Sequence, residues 1–245
     1  MAIWTKALVA VLLSSGTLQA GSCRTLEHEG QSYAVCEATA GEDLRLFLRG
    51  ADGETIGTFE RLRSVLAAEG RKPIFAMNAG MYHPDRRPVG LYLENGMQES
   101  QLVTSAGPGN FGLVPNGVFC IGAGRFALIE SLAFDRDPPE CSYATQSGPL
   151  LVIDGALHPR FLPDSDSRYV RNGVGVSADG KRALFVISDG AVNFDTFARV
   201  FRDALHLPDA LYFDGNISRL YAPEIGRDDF GFPMGPIVAL STPAD

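Results

Sequence analysis

The sequence predicts an α+β fold in one domain, with many short strands in a mixed-sheet core and about two main helices. Three observations predict it. Glycine (27 residues) and proline (15) are frequent enough to punctuate many turns. Apolar runs are short and bounded by Asp-Gly or Asn-Gly steps. Only two stretches carry a helical apolar stripe, too few for alternating strand–helix units. At 245 residues, with 45% apolar and 20% charged residues, the chain is long enough to bury a substantial core and has little scope for extended disorder.

The elements follow in order. Residues 1–20 carry one positive charge, an apolar run over 7–13, and the small-residue end Leu18-Gln19-Ala20, the layout of an export leader cleaved before Gly21. The run is too short to span a bilayer, and no later segment reaches the roughly 20 apolar residues that a span needs. A lipoprotein acylated at Cys23 is a weaker alternative, because the usual leucine three residues before the cysteine is missing. Residues 21–245 form the mature domain. Leu44, Leu46 and Leu48 alternate as in a half-buried strand. Phe59, Leu62, Val65 and Leu66 recur at helical spacing between a Thr58 cap and a Gly70 stop. Residues 73–77 read as a buried strand ending at Asn78, and 89–93, 117–121 and 126–129 read as further strands. Residues 150–153 lead into an Asp154-Gly155 turn, and Ala178-Asp179-Gly180-Lys181 joins 174–177 to 183–187 as a hairpin. A second helix carries Phe194, Phe197, Val200, Phe201 and Leu205 from an Asn193 cap to a stop at Pro208, and a strand over 210–213 ends at Asp214-Gly215.

Charge and cysteine usage narrow the function. A net charge of −8, one unit more negative without Lys6, argues against a nucleic-acid partner, whose phosphates need a basic surface. Cys23, Cys36, Cys120 and Cys141 all follow the leader, so an oxidising compartment would pair them. Three pairings are open; the sequential one closes loops of 13 and 21 residues, each contributing roughly 3 kcal/mol. No close cysteine pair suggests zinc, and the histidines at 28, 83, 158 and 206 share no ligand spacing. No organic cofactor is called for, and a divalent ion is left open. Asp164 and Asp166 read as a solvated loop rather than a calcium site. Gly107-Pro108-Gly109-Asn110-Phe111-Gly112 spells a dinucleotide fingerprint but lies in a loop, without the strand-to-helix turn that would seat a pyrophosphate.

Polar residues at the ends of apolar strands remain: Asn78, Gln146-Ser147-Gly148, Arg171-Asn172, Asp189-Gly190 and Asp214-Gly215. Asp-Gly after a strand is ordinary turn chemistry, but an arginine and a glutamine are not usual turn residues, and the set is expected to converge on one rim. The succession Asn78-Ala79-Gly80-Met81-Tyr82, Gly109-Asn110-Phe111, Pro115-Asn116-Gly117-Val118-Phe119, Thr145-Gln146-Ser147-Gly148-Pro149, Arg171-Asn172-Gly173-Val174-Gly175 and Tyr212-Phe213-Asp214-Gly215 resembles the phosphodiester glycosidase family, over residues 75–240. The resemblance implies an α+β domain, secreted or lumenal members and hydrolysis of glycosyl phosphodiesters. It matches Asp214, Arg171, Asn78 and the Ser147-Gly148-Pro149 segment to family motif positions. The family motif continues its Asp-Gly with further glycines and a serine; here Asn216 and Ile217 precede Ser218.

Given that resemblance, the chemistry assigns roles. A phosphate monoester leaves as a weak base, so the reaction needs a cation on the phosphate and a carboxylate on the sugar. Arg171 is expected on the phosphate, Asp214 as nucleophile or base and Asp189 as second carboxylate. Asn78, Asn110, Gln146, Ser147, Gly148, Asn193, Gly215 and Ser218 are the substrate-binding candidates. The expected partner is a small glycan or glycosyl phosphodiester. Two other readings are a non-catalytic glycan-binding envelope protein, with Tyr82, Tyr92 and Tyr221 stacking on sugars, and a metal-dependent phosphodiesterase.

Overall fold

The computed structural model describes residues 22–244; the expected leader lies outside them. The chain runs β1 (Cys23–His28), β2 (Gln31–Thr39), β3 (Asp43–Phe47), α1 (Phe59–Ala68), β4 (Arg71–Asn78), β5 (Tyr92–Glu94), β6 (Met97–Ser100), β7 (Gly117–Gly122), β8 (Arg125–Glu130) and α2 (Ser131–Arg136). It continues through β9 (Tyr143–Ser147), β10 (Leu150–Ile153), β11 (Ala156–Leu157), β12 (Asn172–Val176), β13 (Arg182–Ser188), α3 (Phe194–Arg199), β14 (Asp209–Asp214), β15 (Leu220–Ala222), β16 (Arg227–Asp228) and β17 (Ile237–Pro243). Strands hold 42% of the described residues and helices 13%, a richer sheet content than the sequence suggested.

Three sheets form: β1-β2-β13-β12-β14-β10-β11, β16-β15-β4-β17-β3 and β6-β5-β9-β7-β8. The expectation of mixed sheets is corrected, because every pairing between these strands is antiparallel. The connections explain it: hairpin turns join many neighbours, and the two helical crossovers, α1 from β3 to β4 and α3 from β13 to β14, return a parallel strand two places away, with β17 and β12 inserted antiparallel between. Phe185 of β13 meets Phe75 of β4 at 5.3 Å and Phe119 of β7 at 5.8 Å, so one apolar core joins all three sheets.

The two long helical stripes cover outer sheet faces. Thr58 caps α1 by accepting from the Arg61 N–H at 3.2 Å, and Phe59, Leu62 and Leu66 pack on Ala76, Ile237 and Ala239. Asn193 caps α3, which widens into a π turn over Val200–Ala204. Phe197 and Phe201 pack on Tyr33, Leu184 and Tyr212 of the first sheet. Phe201 and Leu207 come so close to β12 that a Cβ on Gly175 would lie 2.8 and 2.5 Å from them, which accounts for a glycine inside a buried strand. The cysteines take the sequential pairing: Cys23 opposes Cys36 in the β1–β2 register and bonds to it, and Cys120 bonds to Cys141. The strand expected over 89–93 starts later, at Tyr92, because Gly90 and Leu91 pass beside the Gln146 side chain.

Candidate functional site

Antiparallel pairing brings strand ends together. The start of β12 lies beside the end of β14, so Asn172 faces Asp214 across the ladder. The end of β4 arrives from the second sheet. The Asn78 Nδ2 donates to Asn172 Oδ1 at 3.1 Å, and Asn172 Nδ2 donates to the Asn78 carbonyl at 2.9 Å. Asn78 Oδ1 accepts the Arg219 N–H, and Asn172 Oδ1 also accepts the Asp214 N–H. Both amides are fully buried, so they form a seam that fixes Asp214 between two sheets.

Beyond the seam opens a cleft of about 630 Å³, lined among others by Asp214, Gly215, Asn110, Tyr82, Arg86 and Tyr169. Asp214 is 9% exposed. Its Oδ1 accepts the Gly215 N–H at 2.6 Å and the Asn216 N–H at 3.0 Å, which fixes the carboxylate's rotation. Burial pushes the carboxyl pKa above its ordinary value, and the backbone N–H groups of 215–217 pull in the opposite direction.

Arg171 lies behind the cleft wall, fully buried. Its Nε donates to the Val192 carbonyl at 2.9 Å, Nη1 to Tyr212 Oη at 3.1 Å and Nη2 to the Ser167 carbonyl at 2.9 Å. The guanidinium stacks over Phe194 at 3.7 Å, and burial lowers its pKa from the ordinary value. Tyr212 joins Arg171 to the cleft: a Cβ on Gly215 would lie 2.1 Å from the Tyr212 oxygen, and the Asn110 side chain interacts with the same hydroxyl.

The remaining candidates are used within the fold. Gln146 Oε1 accepts the Leu91 and Val103 N–H groups, and its Nε2 donates to the Val103 carbonyl and Ser131 Oγ. Ser147 Oγ donates to the Phe213 carbonyl, tying β9 to β14. Gly148 passes so close to Asn116 that a Cβ would lie 2.4 Å from the Asn116 Cβ. Asn193 accepts the Thr196 N–H and donates to the Pro163 carbonyl. Ser218 Oγ lies 2.9 Å from the Val170 and Asp214 carbonyls. Asp189, just after β13, forms an ion pair with Arg227 at 2.7 Å and is not among the cleft-lining residues. Of the three tyrosines considered as a sugar platform, Tyr82 alone lines the cleft; Tyr92 is buried against Glu94, and Tyr221 lies under Arg63. Asp214, Gly215 and Asn110 thus face the cleft, while the others are engaged within the fold and Asp189 in its ion pair.

Sequence reasoning gave Asn172 and Tyr212 no role of their own and passed over Tyr169 and Arg86. Asn172 sat inside a quoted motif, but its sheet-joining role depends on contacts across 94 residues of chain. Arg86 stands eight residues after Asn78, on a turn that carries no strand signal.

The comparison with known families bears on this cleft. The model of the phosphodiester glycosidase family matches residues 71–228. The chain belongs to that family. The matched span holds Asn78, Arg171, Asn172 and Asp214, the residues that build the seam and the carboxylate. A relative in Escherichia coli (strain K12), the uncharacterized protein YigE, is 37% identical over 191 residues, covering 78% of this chain and 73% of its own. The fold is also found in solved structures. The catalytic domain of zebrafish N-acetylglucosamine-1-phosphodiester alpha-N-acetylglucosaminidase, auto-inhibited by its pro-peptide, superposes with a TM-score of 0.58 at 12% identity, covering 93% of this chain and 84% of that one. A protein named for export in Burkholderia pseudomallei K96243 gives 0.56 at 12% identity, covering 86% and 74%. At such identity these two structures show a shared fold. No helix among the described residues is long and apolar enough to cross a membrane.

Proposed function

We propose that this chain is an exported hydrolase that cleaves the bond between a sugar's anomeric carbon and a phosphodiester oxygen, with Asp214 as the reacting carboxylate. The observation that carries this reading is a nearly buried aspartate, rotationally fixed by two backbone N–H groups, on the wall of a cleft of about 630 Å³. Family membership supplies the substrate class. The export reading rests on the leader pattern of residues 1–20 and on two disulfides.

Two routes are open to this carboxylate. As nucleophile, an Asp214 oxygen bonds to the anomeric carbon while the carbon–oxygen bond to phosphate breaks, and the phosphate monoester leaves with the electron pair; water then hydrolyses the glycosyl ester. As base, Asp214 takes a proton from the water that attacks the same carbon. Arg171 serves as a positioning residue: its hydrogen bond orients Tyr212, which backs Gly215 and Asn110 at the cleft face. Asp189 is left out of the mechanism because its ion pair with Arg227 engages it elsewhere.

The test incubates the protein with a panel of sugar-1-(methyl phosphodiesters) and follows reducing sugar and methyl phosphate. Turnover is expected, and Asp214→Asn is expected to abolish it with far-ultraviolet dichroism unchanged. Wild-type turnover by that variant refutes the assignment. Tyr82 and Tyr169 on the cleft wall also suit a non-catalytic glycan-binding protein, and saturable binding with no product would favour that reading. Loss of activity on exhaustive chelation would favour the metal-dependent phosphodiesterase.

A further inference from the structure

We propose that Arg86, presented by the turn between Tyr82 and Pro88, is the cation that holds the substrate's phosphate in the cleft. The inference rests on the hydrolase reading for its substrate and deepens it by assigning the phosphate subsite.

The turn sorts its charges. Asp85 takes the neighbouring arginine: its Oδ2 accepts Arg87 Nε at 2.6 Å and its Oδ1 accepts the Arg87 N–H at 3.1 Å. Arg86 has no carboxylate partner among the described residues. Its guanidinium lies over the Tyr82 ring at 5.3 Å and lines the cleft. Arg171, the other candidate cation, already spends three donors on protein acceptors behind the wall. A phosphodiester anion beside the Asp214 carboxylate would be repelled without a cation on the same face. Arg86 supplies one, with a planar fork that suits phosphate oxygens.

Backbone geometry points the same way. Arg86 has φ +70°, a left-handed conformation that costs a non-glycine residue free energy. The turn holds it there: the Arg86 N–H donates to the His83 carbonyl and the His83 N–H to the Arg87 carbonyl, both at 2.8 Å. Tyr82 bridges to Pro88, and the Val89 N–H donates to the Met81 carbonyl. Glycine would satisfy this backbone with less strain, so an arginine there invites a functional reading. Beneath it, the Tyr82 hydroxyl is buried with no hydrogen-bond partner. Asp214 and Arg86 line the same cleft as that ring. A phosphate seated in the cleft would give Arg86 the anion that the protein itself does not supply.

The test uses the mature protein, Arg86→Gly, Arg86→Lys and, as a control outside the cleft, Arg87→Ala. Inorganic phosphate binding is measured by calorimetry. Turnover is compared between a sugar-1-(methyl phosphodiester) and the uncharged 4-nitrophenyl glycoside of the same sugar. Arg86→Gly is expected to weaken phosphate binding about tenfold or more and to lower kcat/KM on the phosphodiester alone, while melting at or above the wild-type temperature. Arg86→Lys should recover part of both losses, because it restores charge without the fork. Arg87→Ala should match wild type. Phosphate affinity unchanged in Arg86→Gly, no phosphate binding by the wild type, or equal losses on both substrates would overturn the inference. If the wild type hydrolyses nothing, the hydrolase reading fails while the calorimetry still decides Arg86.

Discussion

Replacing Arg171 with methionine separates a wall residue from a ligand. The substitution removes three donors from the Val192 and Ser167 carbonyls and from the Tyr212 hydroxyl. At about 1–2 kcal/mol for each stranded acceptor the gross loss is roughly 3–6 kcal/mol. Relief of the buried guanidinium's desolvation offsets part of this, leaving about 3 kcal/mol. In a domain of this size that corresponds to a melting temperature lower by about 6–12 °C. Tyr212, released from Arg171, should no longer hold its place against Gly215, so turnover should fall as well. The assay is thermal unfolding by circular dichroism, paired with phosphate calorimetry on the folded variant at low temperature. A variant that melts like the wild type but has lost phosphate binding would refute the reasoning and place the guanidinium on the substrate.

Four further outcomes follow. The raised folded pKa of Asp214 means the native state binds its proton more tightly than the unfolded chain, so its contribution to stability is greatest below the ordinary carboxylate value and is lost as pH rises through the folded pKa. Asp214→Asn should therefore be more stable than wild type at neutral pH, with the gap closing in acid, as chemical denaturation at a series of pH values would show. If Asp214 reacts as an anion, log kcat/KM should rise with pH along an acid limb above the usual aspartate range, whereas a flat profile through that limb would count against it. Gly215→Ala places a Cβ 2.1 Å from the Tyr212 oxygen and should cost about 1–3 kcal/mol; Tyr212→Phe should relieve part of that cost in the double variant, and additive losses would contradict the contact. Replacing Cys120 and Cys141 together with serine should cost about 3 kcal/mol in denaturant titration, and a loss below about 1 kcal/mol would show that the 21-residue loop is constrained by other contacts.

Much of the fold was legible because its signals are local. The α1 and α3 stripes with their Thr58 and Asn193 caps, the buried run into Asn78 and the hairpin through Asp179-Gly180 depend on neighbours a few residues apart. β1 escaped notice because most of its side chains are exposed or half-exposed, so its residues do not alternate in polarity. The antiparallel character of the sheets was equally hidden, since strand direction is set by which distant segments meet.

Residue chemistry and local order determined that Asp214 ends an apolar strand, that Asn78 and Asn172 stand at strand ends, and that four cysteines follow a leader-like segment. Tertiary structure decided which of these face solvent. It turned Gln146, Ser147 and Asn193 inward to satisfy buried backbone groups, enclosed Arg171 among aromatic rings, paired Asp189 with Arg227, and left Arg86 on the cleft. The physical reason is that a polar side chain's role depends on whether the fold supplies it a partner, and those partners lie up to 141 residues away for the amides beneath Asp214.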